Sequence, residues 1–119
     1  MDINIFQAKM QRGCVVGKMQ DRVLSMIGLA TKAGKVVSGE FSVEKAVKEK
    51  KAYMVIVADD ASDNTKKMFT NMCTFYKVPI YFYADKERIG RAIGKEMRAS
   101  IGITDTGFAD AIIKKLDND

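Results

Sequence analysis

From Lys35 to Val47 the chain reads KVVSGEFSVEKAV. A β-branched pair runs into Ser38-Gly39 and then into an amphipathic stretch that carries Lys45. This order of residue types suits an anion. A glycine at a helix start lets the backbone approach a ligand closely, and the unpaired N–H groups of the first turn attract phosphate. A lysine rising from the same helix adds a movable positive charge. The pattern points to phosphate or RNA binding rather than to bond-making chemistry.

The other chemistry-bearing residues form no catalytic set. The chain contains no histidine, so the side chain that most often shuttles protons or holds metals is missing. Asp59 and Asp60 follow an apolar run, a place where α/β enzymes carry catalytic carboxylates. Adjacent strand residues point to opposite faces, however, and a turn leading to a helix cap accounts for both. Two segments approach the phosphate loop GxxxxGK followed by Ser or Thr. Gly28 to Lys35 has five residues between its glycines and continues with Val36; Gly90 to Lys95 has three and continues with Glu96. Neither opens a helix after a strand, so nucleotide hydrolysis is not expected. Cys14 and Cys73 make neither a CxxC pair nor a metal-ligand spacing, which fits a reduced, cytoplasmic protein with no metal and no cofactor.

Composition agrees with a polyanion partner. Lys plus Arg number 20 against 15 Asp plus Glu, a formal net charge of +5. The excess is concentrated. Lys32 to Lys51 holds six lysines against three glutamates, and Lys86 to Arg98 holds five basic residues against two acidic ones. Asp105 to Asp119 reverses the balance, with four aspartates and two lysines. A fold could bring the two basic segments together. No apolar run approaches the roughly 20 residues that span a bilayer, so no membrane association is expected.

These residues have to be positioned by elements that the periodicity outlines. Val23, Ile27 and Ala30 mark a helix stopping at Gly34. Val36-Val37 is a short strand, and Val43, Ala46 and Val47 form the inner face of the next helix with Lys45 and Lys48 outward. YMVIVA, from Tyr53 to Ala58, reads as a strand covered on both faces. Met68, Phe69, Met72, Cys73 and Tyr76 mark one buried helical stripe, with Cys73 as packing. Ile80 to Tyr83 is a second strand after Pro79. Tyr81 and Tyr83 share one of its faces, where they could stack RNA bases or serve as core. Glu87 to Ile93 is a short helix, and Ala99 to Thr104 a third long strand whose small residues let a helix pack close. The last helix is capped by Asp105 and buries Phe108, Ala109, Ile112, Ile113 and Leu116. Alternating helices and strands predict an α/β protein, a three-layer α-β-α sandwich around a mixed four-stranded sheet. Residues 1–18 lack this order and are read as an N-terminal extension of unassigned role, followed by one domain over 19–119; Met10 and Met19 are alternative starts.

Four separated blocks carry a further resemblance: GLATKAGKVVSGE, then Lys45-Ala46-Val47 six residues after Gly39, then MVIVADDAS, then Ile89-Gly90-Arg91-Ala92-Ile93-Gly94. Over residues 20 to 110 the chain resembles the kink-turn RNA-binding family typified by archaeal ribosomal protein L-seven-Ae, with an opening similar to its short bacterial YlxQ-type branch. The resemblance implies the same sandwich and a non-enzymatic protein that binds sharply bent RNA containing tandem sheared G·A pairs, in ribosomal RNA or a structured leader. By position, Gly39 matches the glycine whose backbone lies against RNA, and Lys45 the lysine that reaches the G·A pairs. Lys86 and Arg98 match or neighbour basic positions on the RNA backbone. Lys95, Met97, Arg98 and Ala99 fall in the loop that packs against an unstacked base. The resemblance further implies a monomer that works with the ribosome.

One departure stands out. Where the archaeal pattern has Asn-Glu before the helix lysine, this chain has Phe41-Ser42, with Glu40 beside Gly39. Phenylalanine cannot make an amide's hydrogen bonds, so weaker or altered G·A readout is expected. Glu40 would also complement the positive helix end, and Phe41 could pack back as a hydrophobic staple. An adaptor that kept the fold and lost RNA readout is the alternative, with Phe41 and Met97 as apolar anchors for a protein partner on the ribosome.

Overall fold

The computed structural model describes residues 21–118; the extension at 1–18 and Cys14 lie outside the described residues. The elements follow as α1 (Arg22–Lys32), β1 (Val36–Ser38), α2 (Glu40–Lys48), β2 (Met54–Val57), α3 (Asp63–Tyr76), β3 (Ile80–Phe82), α4 (Lys86–Ala92), β4 (Ser100–Ile103) and α5 (Thr106–Asn118). The sheet order is β1-β4-β2-β3. β4 runs antiparallel to both of its neighbours, and β2 runs parallel to β3. This is the expected α-β-α sandwich with a mixed four-stranded sheet.

β2 shows why the sandwich forms. All four of its residues are buried, because successive side chains leave a strand on opposite faces. Met54 and Ile56 join Val23, Ile27, Ile89, Ile101 and Ile112 under α1, α4 and α5. Val55 and Val57 join Val43, Val47, Phe69 and Cys73 under α2 and α3. An apolar strand without alternation therefore requires two covering layers. Cys73 is fully buried, and that burial pushes its thiol up to about 11, which supports the packing role.

β4 is shorter than the strand expected over 99–104 and lies inside the sheet. All four of its residues are buried. Gly102 permits this: a Cβ there would sit 3.3 Å from Val37 and 3.7 Å from Val43. The small face of β4 thus admits α2, as expected.

The tyrosines are not available for stacking. Tyr81 packs against the first cluster and its hydroxyl donates to Asp117 at 3.4 Å. Burial, and secondarily Asp117, shift that phenol upward from its ordinary value. Tyr83 donates to Asp21 at 2.8 Å. Helix α1 and the end of α5 therefore occupy the face on which bases would have stacked.

The Asp60 carboxylate is structural, accepting from the Lys86 N–H at 2.9 Å. Asp59 is exposed and joins the fold through its backbone N–H, which donates to the Ala84 carbonyl at 2.7 Å. Among the described residues no group of three or more His, Cys, Asp or Glu could hold a metal ion, and no helix is long and apolar enough to cross a membrane.

Candidate nucleic-acid interface

Helix α2 begins on Gly39, with φ 91° and ψ 154°. That combination is essentially restricted to glycine, since a Cβ would clash with its own backbone. The Gly39 N–H donates to the Ser100 carbonyl at 3.1 Å, and its own carbonyl accepts from Val43 at 3.0 Å. No side chain caps this helix. The other four helices among the described residues are capped. Asp21 accepts from Leu24 at 3.0 Å, Ser62 from Thr65 at 3.1 Å, Asp85 from Arg88 at 2.7 Å, and Asp105 from Phe108 at 3.0 Å. The first turn of α2 keeps its backbone donors open to a ligand, with none taken by a capping side chain.

The second segment reaches this place through the sheet. Helix α4 ends at Ala92, and Gly94 takes a left-handed φ of 74° that turns the chain back. The return is tight: a Cβ on Gly90 would run into the Glu96 carbonyl. Lys95 N–H donates to Gly90 at 2.8 Å, Arg98 N–H to Lys86 at 3.1 Å, and the Ala99 carbonyl accepts from Ala58 at 2.8 Å. The loop then delivers Ser100 into β4, where the register pairs Ser38 with Ile101. The Arg98 Nε donates across to the Ser38 hydroxyl at 3.4 Å, and its Nη1 to the Met97 carbonyl at 3.0 Å. Two segments about 60 residues apart in sequence become one surface through Gly39–Ser100 and Arg98–Ser38.

On that surface Glu40, Phe41, Ser42, Lys45, Lys95 and Met97 are exposed, while Gly39, Lys86, Arg98 and Ala99 are half-buried. Phe41 is 77% exposed, so it does not pack as a staple. A staple joins the residue before the N-cap to the fourth residue of the helix, here Ser38 and Val43, whereas Phe41 is the second residue of α2. Two shallow depressions mark the region. One, of about 450 Å³, is lined by Glu87, Arg91, Lys95, Glu96, Met97 and Arg98; the other, of about 260 Å³, lies along Phe41, Glu44, Lys45, Lys48 and Glu49.

The acids nearest these cations are partly occupied. Lys48 holds Glu44 at 2.8 Å and Arg91 holds Glu87 at 2.9 Å. The Lys48 ammonium is accordingly shifted upward, first by its hydrogen bond to Glu44 and then by that residue's charge. Such exposed pairs contribute little to stability, but they leave Lys45, Lys86 and Lys95 without an ion pair among the described residues. Ser38 and Arg91 join the ten residues expected from sequence. Arg91 lies within the basic segment Lys86 to Arg98, whereas Ser38 carries no local signature of the site, because the β1–β4 register that brings it to Arg98 is set at long range.

An uncapped glycine-led helix start flanked by a basic loop, on an α-β-α sandwich, offers backbone donors and cations to an anion such as a phosphate. Residues 21–113 match the Ribosomal protein L7Ae/L30e/S12e/Gadd45 family. The chain belongs to this family of non-enzymatic, RNA-binding proteins known for kink-turn recognition, and to its YlxQ-like branch. It is similar to the RNA-binding protein YlxQ of Bacillus subtilis (strain 168), with 45% identity over 92 residues, covering 77% of this chain and 92% of that one. A solved structure of a protein with unknown function from Bacillus halodurans superposes with a TM-score of 0.79 at 36% identity, covering 81% and 97% of the two chains. The Giardia lamblia 15.5kD RNA binding protein shares the fold, with a TM-score of 0.70 at 19% identity over 87% and 92% of the chains.

Proposed function

We propose that this protein recognises kinked, structured RNA of the kink-turn type, in ribosomal RNA, through Gly39 to Lys45 together with Lys86 and Lys95 to Ala99. It acts as a cytoplasmic monomer in ribonucleoprotein assembly, with residues 19–119 as its single RNA-binding domain. The observation that carries the reading is the Gly39–Ser100 hydrogen bond, which sets the uncapped start of α2 beside the basic loop. Backbone N–H groups and lysines there suit phosphates, and phosphate contacts would fix the register of the RNA before any base is read.

The test is titration of a kink-turn RNA carrying end fluorophores, beside the same RNA with its G·A pairs replaced by Watson–Crick pairs. Bending and tight binding of the G·A form alone are expected, with affinity falling as salt rises because counterions are released. Equal binding of both RNAs would reduce the surface to a nonspecific basic one. A second reading, a ribosome-associated adaptor without RNA readout, is favoured by the exposure of Phe41 (77%) and Met97 (57%). Binding to neither RNA, with ribosome association that survives ribonuclease, would select it.

A further inference from the structure

Phe41 stands in the first turn of α2 with its ring in solvent. The buried face of that helix consists of Val43, Ala46 and Val47, so Phe41 adds nothing to the core. One turn along the same exposed face comes Lys45, since residues four apart on a helix are neighbours. Both line the depression of about 260 Å³. Glu44 is engaged by Lys48 at 2.8 Å, whereas Lys45 has no ion pair among the described residues. The depression therefore offers an aromatic face beside an uncommitted cation.

A phenyl ring has no donor or acceptor and cannot read a base edge. Every base has a π-face, however, and stacking on aromatic side chains is sequence-tolerant. From this juxtaposition, and resting on the RNA-binding reading above, we infer that Phe41 is a stacking platform for one unpaired nucleobase of the bound RNA, with Lys45 holding the adjoining phosphate. Helix α2 thus recognises an extruded base by its face. The platform is separate from the depression of about 450 Å³ along the α4–β4 loop, so the RNA presents an unpaired nucleotide to α2 in addition to whatever lies on that loop. Phe75 provides an internal contrast. It is equally exposed, but its ring meets Tyr76 edge-on at 4.9 Å, and the residues one turn before it are Asn71 and Met72.

The experiment titrates kink-turn RNAs, each with 2-aminopurine at one unpaired position, with the full-length wild type and the variants F41A, F41W, F75A and K45A. Wild type and F41W are expected to quench one position, and F41A to lose that quench together with about 10-fold in affinity. F75A should behave as wild type, and thermal melting should show F41A folded. F41A binding like wild type with the same quench would overturn the inference and leave Phe41 to a protein partner. A fall in affinity without a Phe41-dependent quench at any unpaired position would overturn it too. In both cases tight wild-type binding weakened by K45A would keep the RNA-binding reading intact. Wild type binding none of the RNAs would remove both.

Discussion

Helix α5 begins on Asp105, whose carboxylate accepts the Phe108 N–H at 3.0 Å, while α2 begins on Gly39 with no side-chain cap. Both helices follow a strand of the same sheet, and β1 and β4 are neighbours within it. At α5 the cap closes the helix end and adds an acid to a segment already rich in aspartate. At α2 the cap is missing, the backbone takes a glycine-only conformation, and Lys45 and Arg98 flank the opening. A capping side chain stabilises a helix by about 1 kcal/mol over alanine at the N-cap but by only a few tenths over glycine. Among the described helices α2 is the one that starts without such a cap, so its open backbone, where cations gather, costs little stability.

The comparison breaks most severely if the loop beside α2 is displaced. Gly90→Val drives a side chain into the Glu96 carbonyl, and is expected to cost about 3 kcal/mol in urea unfolding, near the upper end for overpacking. The same variant should lose RNA affinity even at temperatures where it stays folded. Gly39→Ala attacks the open end directly. Holding φ at 91° with a Cβ should cost roughly 1–3 kcal/mol, seen as a lower denaturation midpoint. If the midpoint did not move, the strained glycine would not be what defines this helix start.

Lys45→Ala separates binding from stability. RNA affinity should fall about 10-fold, roughly 1.4 kcal/mol, with a shallower salt dependence by about one phosphate contact and an unchanged melting temperature. Lys115→Ala, in the acidic segment, should change neither, and equal losses from the two would dissolve the assigned surface. Asp105→Ala is the mirror case: about 1 kcal/mol less stable in the same unfolding assay, with undiminished RNA binding by the folded protein. Ser38→Ala should have the smallest effect, about 0.5 kcal/mol or less, because its contact with Arg98 is long at 3.4 Å. A larger loss would mean that this bridge, rather than the Gly39–Ser100 backbone bond, joins the two halves.

Much of the fold is legible in the sequence. Val23, Ile27 and Ala30, the unbroken apolar run of β2, and Val43, Ala46 and Val47 are buried where their spacing implied. Local periodicity reports which face of an element avoids water, and that is decided residue by residue. The site was legible in its pieces: Gly39 as a helix start, Lys45 as an outward cation, Arg98 in a basic segment. Two alternatives that the sequence leaves open are closed by the structure: Tyr81 and Tyr83 take the core role, packed on the first cluster with their hydroxyls on Asp117 and Asp21, and Phe41 is exposed rather than packed as a staple.

The sequence alone determined the elements, the buried faces, the absence of histidine chemistry and the separation of basic from acidic segments. Each of these depends on residue type and short-range spacing. The tertiary structure decided that β4 enters the sheet between β1 and β2 and sets Ser100 against Gly39, that Arg98 reaches Ser38, and that Phe41 faces solvent. Strand order and register are chosen by long-range packing among several pairings that the same local pattern allows. A site assembled across that pairing exists only once the choice has been made.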